Sequence, residues 1–150
     1  MEIRLAQRDD LPALHRLVDL MWEGSAPDTL LPYLESEEAA IYVCVKDKSF
    51  IGLAACCLRH DYVEGCAFSP VGYLEGIAVL PDMQRQGIAK MLLSACEDFA
   101  KGLGCREFAS DCAISNTDSL HFHLAVGFSE AGRIICFKKE LKENEGAVHE

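Results

Sequence analysis

The sequence predicts an α/β protein with a mixed central sheet and helices on its faces. Three observations carry that reading. Two apolar runs, 41–46 and 50–58, flank Lys46-Asp-Lys-Ser49, which is a hairpin signal and so an antiparallel pair. A third run, 71–80, is followed by helical spacing over 86–101 and another strand-like run at 105–111. Strand, helix, strand in that order implies a parallel pair, and a sheet with both kinds of pairing is mixed.

Taken in order, Ile3-Arg-Leu5 reads as a short first strand. Asp9 and Asp10 offer an N-cap with Pro12 in the first turn, and Leu11, Leu14, Leu17, Val18 and Met21 recur at helical spacing up to about Trp22. A shorter helix is expected over 29–38. Residues 59–70, which include Gly65 and Pro70, should form a loop. The 71–80 strand is apolar except for Glu75, and Gly76 beside it suggests a bulge. The helix over 86–101 presents Ile88, Met91, Leu92, Ala95, Cys96 and Phe99 on one face, with Gly102 near its C-cap. A helix over 116–126 ends at Gly127-Phe128, and a last strand is expected over 133–138.

The 150 residues suit a single domain, 1–150, with a frayed tail from about 142. No apolar run reaches the roughly 18 residues of a membrane span, and no basic stretch with an apolar core opens the chain. Eight cysteines lack Cys-x-x-Cys spacing, so no metal site is expected, and they read as reduced core thiols of a cytoplasmic protein. The net charge of −10 argues against a nucleic-acid partner. It serves solubility, or draws a cationic substrate into an acidic cleft.

Gln84-Arg-Gln-Gly-Ile-Ala89 follows a strand and opens a helix. Free backbone N–H groups and the positive end of the helix dipole converge there, which suits a phosphate. Gly87 and Ala89 let oxygens approach the backbone. The turn is neither a P-loop nor a full Gly-x-Gly-x-x-Gly, and a helix start can need small residues for packing alone.

With Val79-Leu-Pro81 before it, and Asn116 and Gly127-Phe128 after an intervening strand, the set resembles the GNAT acyltransferase superfamily. Four further blocks resemble aminoglycoside 6′-N-acetyltransferases more closely: Arg59-His-Asp-Tyr-Val-Glu-Gly-Cys66, Ser69-Pro-Val-Gly-Tyr-Leu-Glu-Gly-Ile77, Glu107-Phe-Ala-Ser-Asp111 and Arg133-Ile-Ile-Cys-Phe137. Trp22 fits the same family.

The resemblance implies a GNAT fold whose parallel strands splay apart, acetyl-CoA as cosubstrate, acetylation of an aminoglycoside 6′-amine in a ternary complex, antibiotic resistance and a homodimer. It implies that the backbone of Ile77, Ala78 and Val79 pairs with the pantetheine arm. Gln84, Arg85, Gln86, Gly87, Ile88, Ala89 and Lys90 would hold the pyrophosphate, and Asn116 would reach the pantetheine.

Glu75 would bind the amine and take its proton, or form a structural ion pair. Asp111 would contact the cationic substrate, or cap the next turn. Tyr62 would line the sugar pocket, or pack on the surface. Trp22 would stack on a sugar, or staple its helix to the core. His123 stands where many GNAT enzymes have a tyrosine acid; it donates a proton to the thiolate, or packs against the cofactor. Glu130 lies near Gly132, the position of an acidic substrate contact in some relatives. Acetylation of polyamines or another small cationic amine is the rival enzymatic reading, and a non-catalytic acetyl-CoA or aminoglycoside binding module is the rival of another class.

Overall fold

The computed structural model describes residues 1–143. Five strands form one sheet in the order β1-β2-β3-β4-β5: β1 (Glu2–Leu5), β2 (Ala39–Lys46), β3 (Ser49–Arg59), β4 (Val71–Val79) and β5 (Phe108–Ser110). The first four are antiparallel, and β4 pairs with β5 in parallel. The hairpin between β2 and β3 turns at Asp47 and Lys48, both at positive φ (49° and 67°), the geometry that matches strand twist in two-residue turns.

Helices α1 (His15–Met21) and α2 (Leu31–Leu34) lie on one face, and α3 (Ile88–Gly102) and α4 (Thr117–Ala125) on the other. The period of two in β2 sorts its side chains between them. Ile41 and Val43 join Leu14, Leu17, Val18 and Leu30, while Ala40 and Cys44 join Ile88, Leu92, Leu93 and Cys96. Each fully buried Leu or Ile contributes about 1.5–3 kcal/mol of transfer free energy. Gly52 lets α3 approach β3 this closely, because a Cβ there would stand 2.9 Å from Leu92 Cδ1 and 3.0 Å from Ile88 Cγ2.

Several sequence expectations need correction. The first helical segment starts as a 3-10 helix, Arg8–Leu14, flanked by Gln7. Asp10 is not its N-cap; its carboxylate accepts from the Gln7 N–H at 2.7 Å and from Arg4. The expected helix over 29–38 shrinks to a 3-10 turn, Pro27–Leu30, and one turn of α2. Gly102 does stand beside the C-cap of α3, Leu103, as expected, and the left-handed residue that follows is Gly104, at φ 89°. The 105–111 strand keeps only three residues.

The strand expected over 133–138 does not form. Residues 129–143 adopt no regular structure, and Ile134, Ile135 and Phe137 are 77%, 80% and 89% exposed. The run has strand-forming residues but no neighbour within the described chain to pair with. Part of the tail expected to fray, 144–150, lies outside the described residues.

Candidate active site

The parallel pair is short. Gly72, Tyr73 and Leu74 face Phe108, Ala109 and Ser110, and pairing stops there. Beyond Leu74 and Ser110 the strands part, and an open cleft of about 790 Å³ occupies the gap. Its walls include Glu75 through Val79 of β4, the turn into α3, Ser110 to Cys112, and one side of α4. Within β4, residues 76–79 keep their partners on β3 but lack β5 partners on the cleft side.

The bulge anticipated at Gly76 centres on Glu75. Ala55 faces Gly76 and Cys56 faces Leu74, so Glu75 is the extra residue with no partner on β3. Gly76 is needed for close approach. A Cβ there would lie 2.7 Å from Met21 Cγ and 2.8 Å from Trp22 Nε1. Trp22 uses that space to donate its indole N–H to the Glu75 carbonyl at 3.3 Å. The carbonyl freed by the bulge thus gains a donor, and Trp22 both staples α1 to β4 and lines the cleft.

The Glu75 side chain has a dense set of partners. Arg59 donates from Nε to Oε1 at 3.1 Å and from Nη2 to Oε1 and Oε2 at 2.8 and 3.0 Å. Cys57 donates its thiol to Oε1 at 3.1 Å. Burial and this carboxylate push the Cys57 thiol up to about 12, so it stays a neutral donor at physiological pH. The Tyr33 hydroxyl is also pushed up to about 12, by burial first and Glu75 second.

Asp111, just past the end of β5, accepts from the Tyr73 hydroxyl. Burial, then that hydrogen bond, pushes the Tyr73 phenol well up. The Arg59 guanidinium lies over the Tyr73 ring, 3.4 Å from its centroid. Glu75 and Asp111 are therefore linked through Arg59 and Tyr73. Sequence reasoning missed Cys57, Arg59 and Tyr73 as site residues. Parity alone puts Cys57 and Arg59, two residues apart, on one face of β3, but the register that sets Cys57 opposite Tyr73 beside the bulge is not readable from local spacing.

At the cofactor end, a 3-10 turn, Pro81–Met83, leads to Gln84, whose amide donates to the Val79 carbonyl at 3.3 Å. Arg85 and Gly87 both take positive φ (66° and 78°), which turns the backbone into the start of α3. A Cβ on Gly87 would meet nothing within 4 Å, so the space above the helix start is open. Gln84, Arg85, Gly87, Ile88, Ala89 and Lys90 line the cleft with Ile77, Ala78 and Val79; Gln86 is not among its walls.

Asn116 lines it too. Its side-chain oxygen caps α4 by accepting from the Ser119 N–H at 3.1 Å, leaving the NH₂ group free of that bond.

His123 projects from α4 into the cleft. Nδ1 lies 2.6 Å from the Ser119 carbonyl, which can only accept, so Nδ1 carries a proton. Nε2 lies 2.8 Å from Ser110 Oγ. Ser110 Oγ has one proton and also lies 3.2 Å from the Leu74 carbonyl as its donor. A neutral His123 therefore accepts from Ser110 only when that bond is given up, whereas a protonated ring donates to Ser110 while Ser110 donates to Leu74. Tyr62 and Glu130 stand outside the cleft walls. Tyr62 is 80% exposed and donates to Glu64, while Glu130 pairs with Arg133.

Comparison with known proteins agrees with this arrangement. The Acetyltransferase (GNAT) family profile matches residues 8–128. The Aminoglycoside N(6′)-acetyltransferase type 1 of Salmonella typhimurium (strain LT2) is 39% identical over 143 residues, 93% of this chain and 99% of that protein. The solved aminoglycoside N-acetyltransferase AAC(6′)-Iy in complex with a bisubstrate analogue, CoA-S-monomethyl-acetylneamine, superposes with a TM-score of 0.86 at 38% identity, covering 93% of this chain and 98% of that one. AAC(6′)-IG from Acinetobacter haemolyticus gives a TM-score of 0.88 at 34% identity, over 95% and 100% of the two chains. A parted parallel strand pair, a phosphate-type turn opening α3, and this likeness over nearly the whole chain lead to one conclusion: the chain belongs to the GNAT acetyltransferase family.

Proposed function

We propose that the protein transfers acetyl from acetyl-CoA to the 6′-amine of an aminoglycoside by direct attack in a ternary complex. The observation that carries this reading is one cleft that holds both a pair of carboxylates, Glu75 and Asp111, and a phosphate-type turn. The relatives named for that activity, matched over 93% of this chain, support it.

The residues present fit acetyl-CoA. The cleft-side edge of β4 at Ile77, Ala78 and Val79, paired with β3 but not with β5, can accept an extended amide-bearing arm as an added strand. The N–H groups at the start of α3 converge on open space suited to pyrophosphate. The bound cosubstrate supplies an acyl carbonyl with a thiol leaving group. Glu75 and Asp111 attract and orient the substrate ammonium, and Glu75, on the bulge, is placed to receive its proton. His123, when protonated, passes a proton toward the thiolate through Ser110. Trp22 gives the substrate an aromatic wall beside Glu75.

The protein acts as a cytoplasmic homodimer in this reading and confers aminoglycoside resistance. Eight free thiols suit a reducing compartment. The uncovered apolar run at 134–137 suits pairing with a second copy.

A thiol-release assay with acetyl-CoA tests the proposal, comparing aminoglycosides that bear a 6′-amine, aminoglycosides that bear a 6′-hydroxyl, and spermidine. Turnover confined to the 6′-amine is expected. Equal turnover of spermidine would replace the substrate class, and acetyl-CoA binding without turnover of any acceptor would leave a binding module.

A further inference from the structure

Glu75 already holds a cation. The Arg59 guanidinium makes three hydrogen bonds to it, so a carboxylate assigned to a substrate ammonium is neutralised by the chain itself. Exposure differs between the partners. The Glu75 side chain is 19% exposed and that of Arg59 40%, so Arg59 is the more exposed partner of the pair. Glu75 is fixed by the bulge, by Trp22 on its carbonyl and by the Cys57 thiol on its carboxylate. Among the described residues, the Arg59 side chain is held besides by the face of Tyr73 and the neighbouring Cys57 thiol. Of the two, Arg59 is free to withdraw without opening the core.

From this we infer that Arg59 is a resident counter-cation that the substrate amine replaces on Glu75, and so a specificity-determining residue. The inference rests on the aminoglycoside reading of the same cleft. An ammonium that reaches Glu75 must offer more than one guanidinium already offers. A polycation does so by engaging Asp111 at the same time; a monoamine does not. Arg59 would therefore raise the threshold for small singly charged amines and keep the carboxylate paired between turnovers, since an unpaired, largely buried carboxylate is costly.

The experiment compares wild type, Arg59→Gln and Arg59→Lys by ligand-induced thermal stabilisation and by kinetics, with kanamycin A and spermidine as probes. Arg59→Gln is expected to melt lower without ligand. Each polycation should then raise its melting temperature more than it raises that of wild type. Its KM for kanamycin A should fall about five-fold, on the order of 1 kcal/mol, with KM for acetyl-CoA unchanged. Arg59→Lys, which restores a cation, should return both readouts toward wild type.

If Arg59 is instead a permanent support for Glu75, Arg59→Gln raises KM for kanamycin A and gains no more stabilisation than wild type, and the inference is overturned. Failure of wild type to acetylate kanamycin A would count against the proposed function alone, because the thermal comparison needs no turnover.

Discussion

A carboxylate in an apolar strand must find partners or lose its charge. Glu75 finds Arg59 and Cys57, and its backbone carbonyl finds Trp22. The structural ion pair foreseen as an alternative is therefore present, and it coexists with a side chain on the cleft wall. Glu75→Gln separates charge from shape, since the amide retains the side chain's size and one acceptor oxygen. Turnover of a 6′-amine aminoglycoside, as kcat/KM, is expected to fall about 100-fold or more, in the range of a lost general base. Acetyl-CoA binding, measured by calorimetry, should be unchanged, because residues 77–90 do not rely on that charge. Full activity in this variant would remove Glu75 from the chemistry.

Among the elements, β4 does the most to position the site, and its bulge is the critical detail. Gly76→Ala tests it without touching a charge. The new Cβ would fall 2.7 Å from Met21 Cγ and 2.8 Å from Trp22 Nε1, so α1 must move or the bulge must change. A loss of about 1–3 kcal/mol is expected for such overpacking, read as a lower melting temperature. The Trp22–Glu75 hydrogen bond should go with it, seen as a raised aminoglycoside KM. Unchanged stability and KM would mean that the close approach is not needed.

The bulge was legible in the sequence because Glu75-Gly76 interrupts an apolar run, and so was the turn at 84–89, where strand, small residues and helix follow in order. Arg59 was not. Its role follows from cross-strand register, which shifts at Ala55/Cys56, and local spacing does not reveal that shift. The cap of the first helical segment was misplaced because Asp10 acts three residues inside, from a chain that enters in a 3-10 conformation. The last strand was misread for a different reason: its β-propensity is real, but a strand needs a neighbour.

That missing neighbour is a property of the whole molecule. In an extended run, Ile135 and Phe137 point one way and Ile134 and Cys136 the other, so both faces are apolar, the pattern of an interior strand. Yet β5 is the edge of the sheet, only three residues long, and Ile134, Ile135 and Phe137 stand 77%, 80% and 89% exposed. Two such runs covering each other's sheets would bury six large side chains. Their gross transfer free energy is on the order of 9–18 kcal/mol, against an association cost of about 4–15 kcal/mol. In the homodimer reading, a second copy of this chain would supply both runs at once.

The root of the run also touches the loop at 60–70, where Gly65 and Ala131 stand so close that a Cβ on the glycine would lie 2.6 Å from the alanine's. Glu107 pins the same loop by accepting from the N–H groups of Ala67 and Phe68. Arg59, next to the start of the loop, carries the connection to Glu75. Pairing of the run should therefore help to order the substrate side of the cleft. Light scattering on wild type should give twice the chain mass at micromolar concentration, and Ile135→Glu with Phe137→Glu should give the chain mass. The double variant should also show a raised aminoglycoside KM with acetyl-CoA binding retained. A monomeric wild type would refute the pairing, and a monomeric variant with wild-type KM would separate assembly from the substrate site.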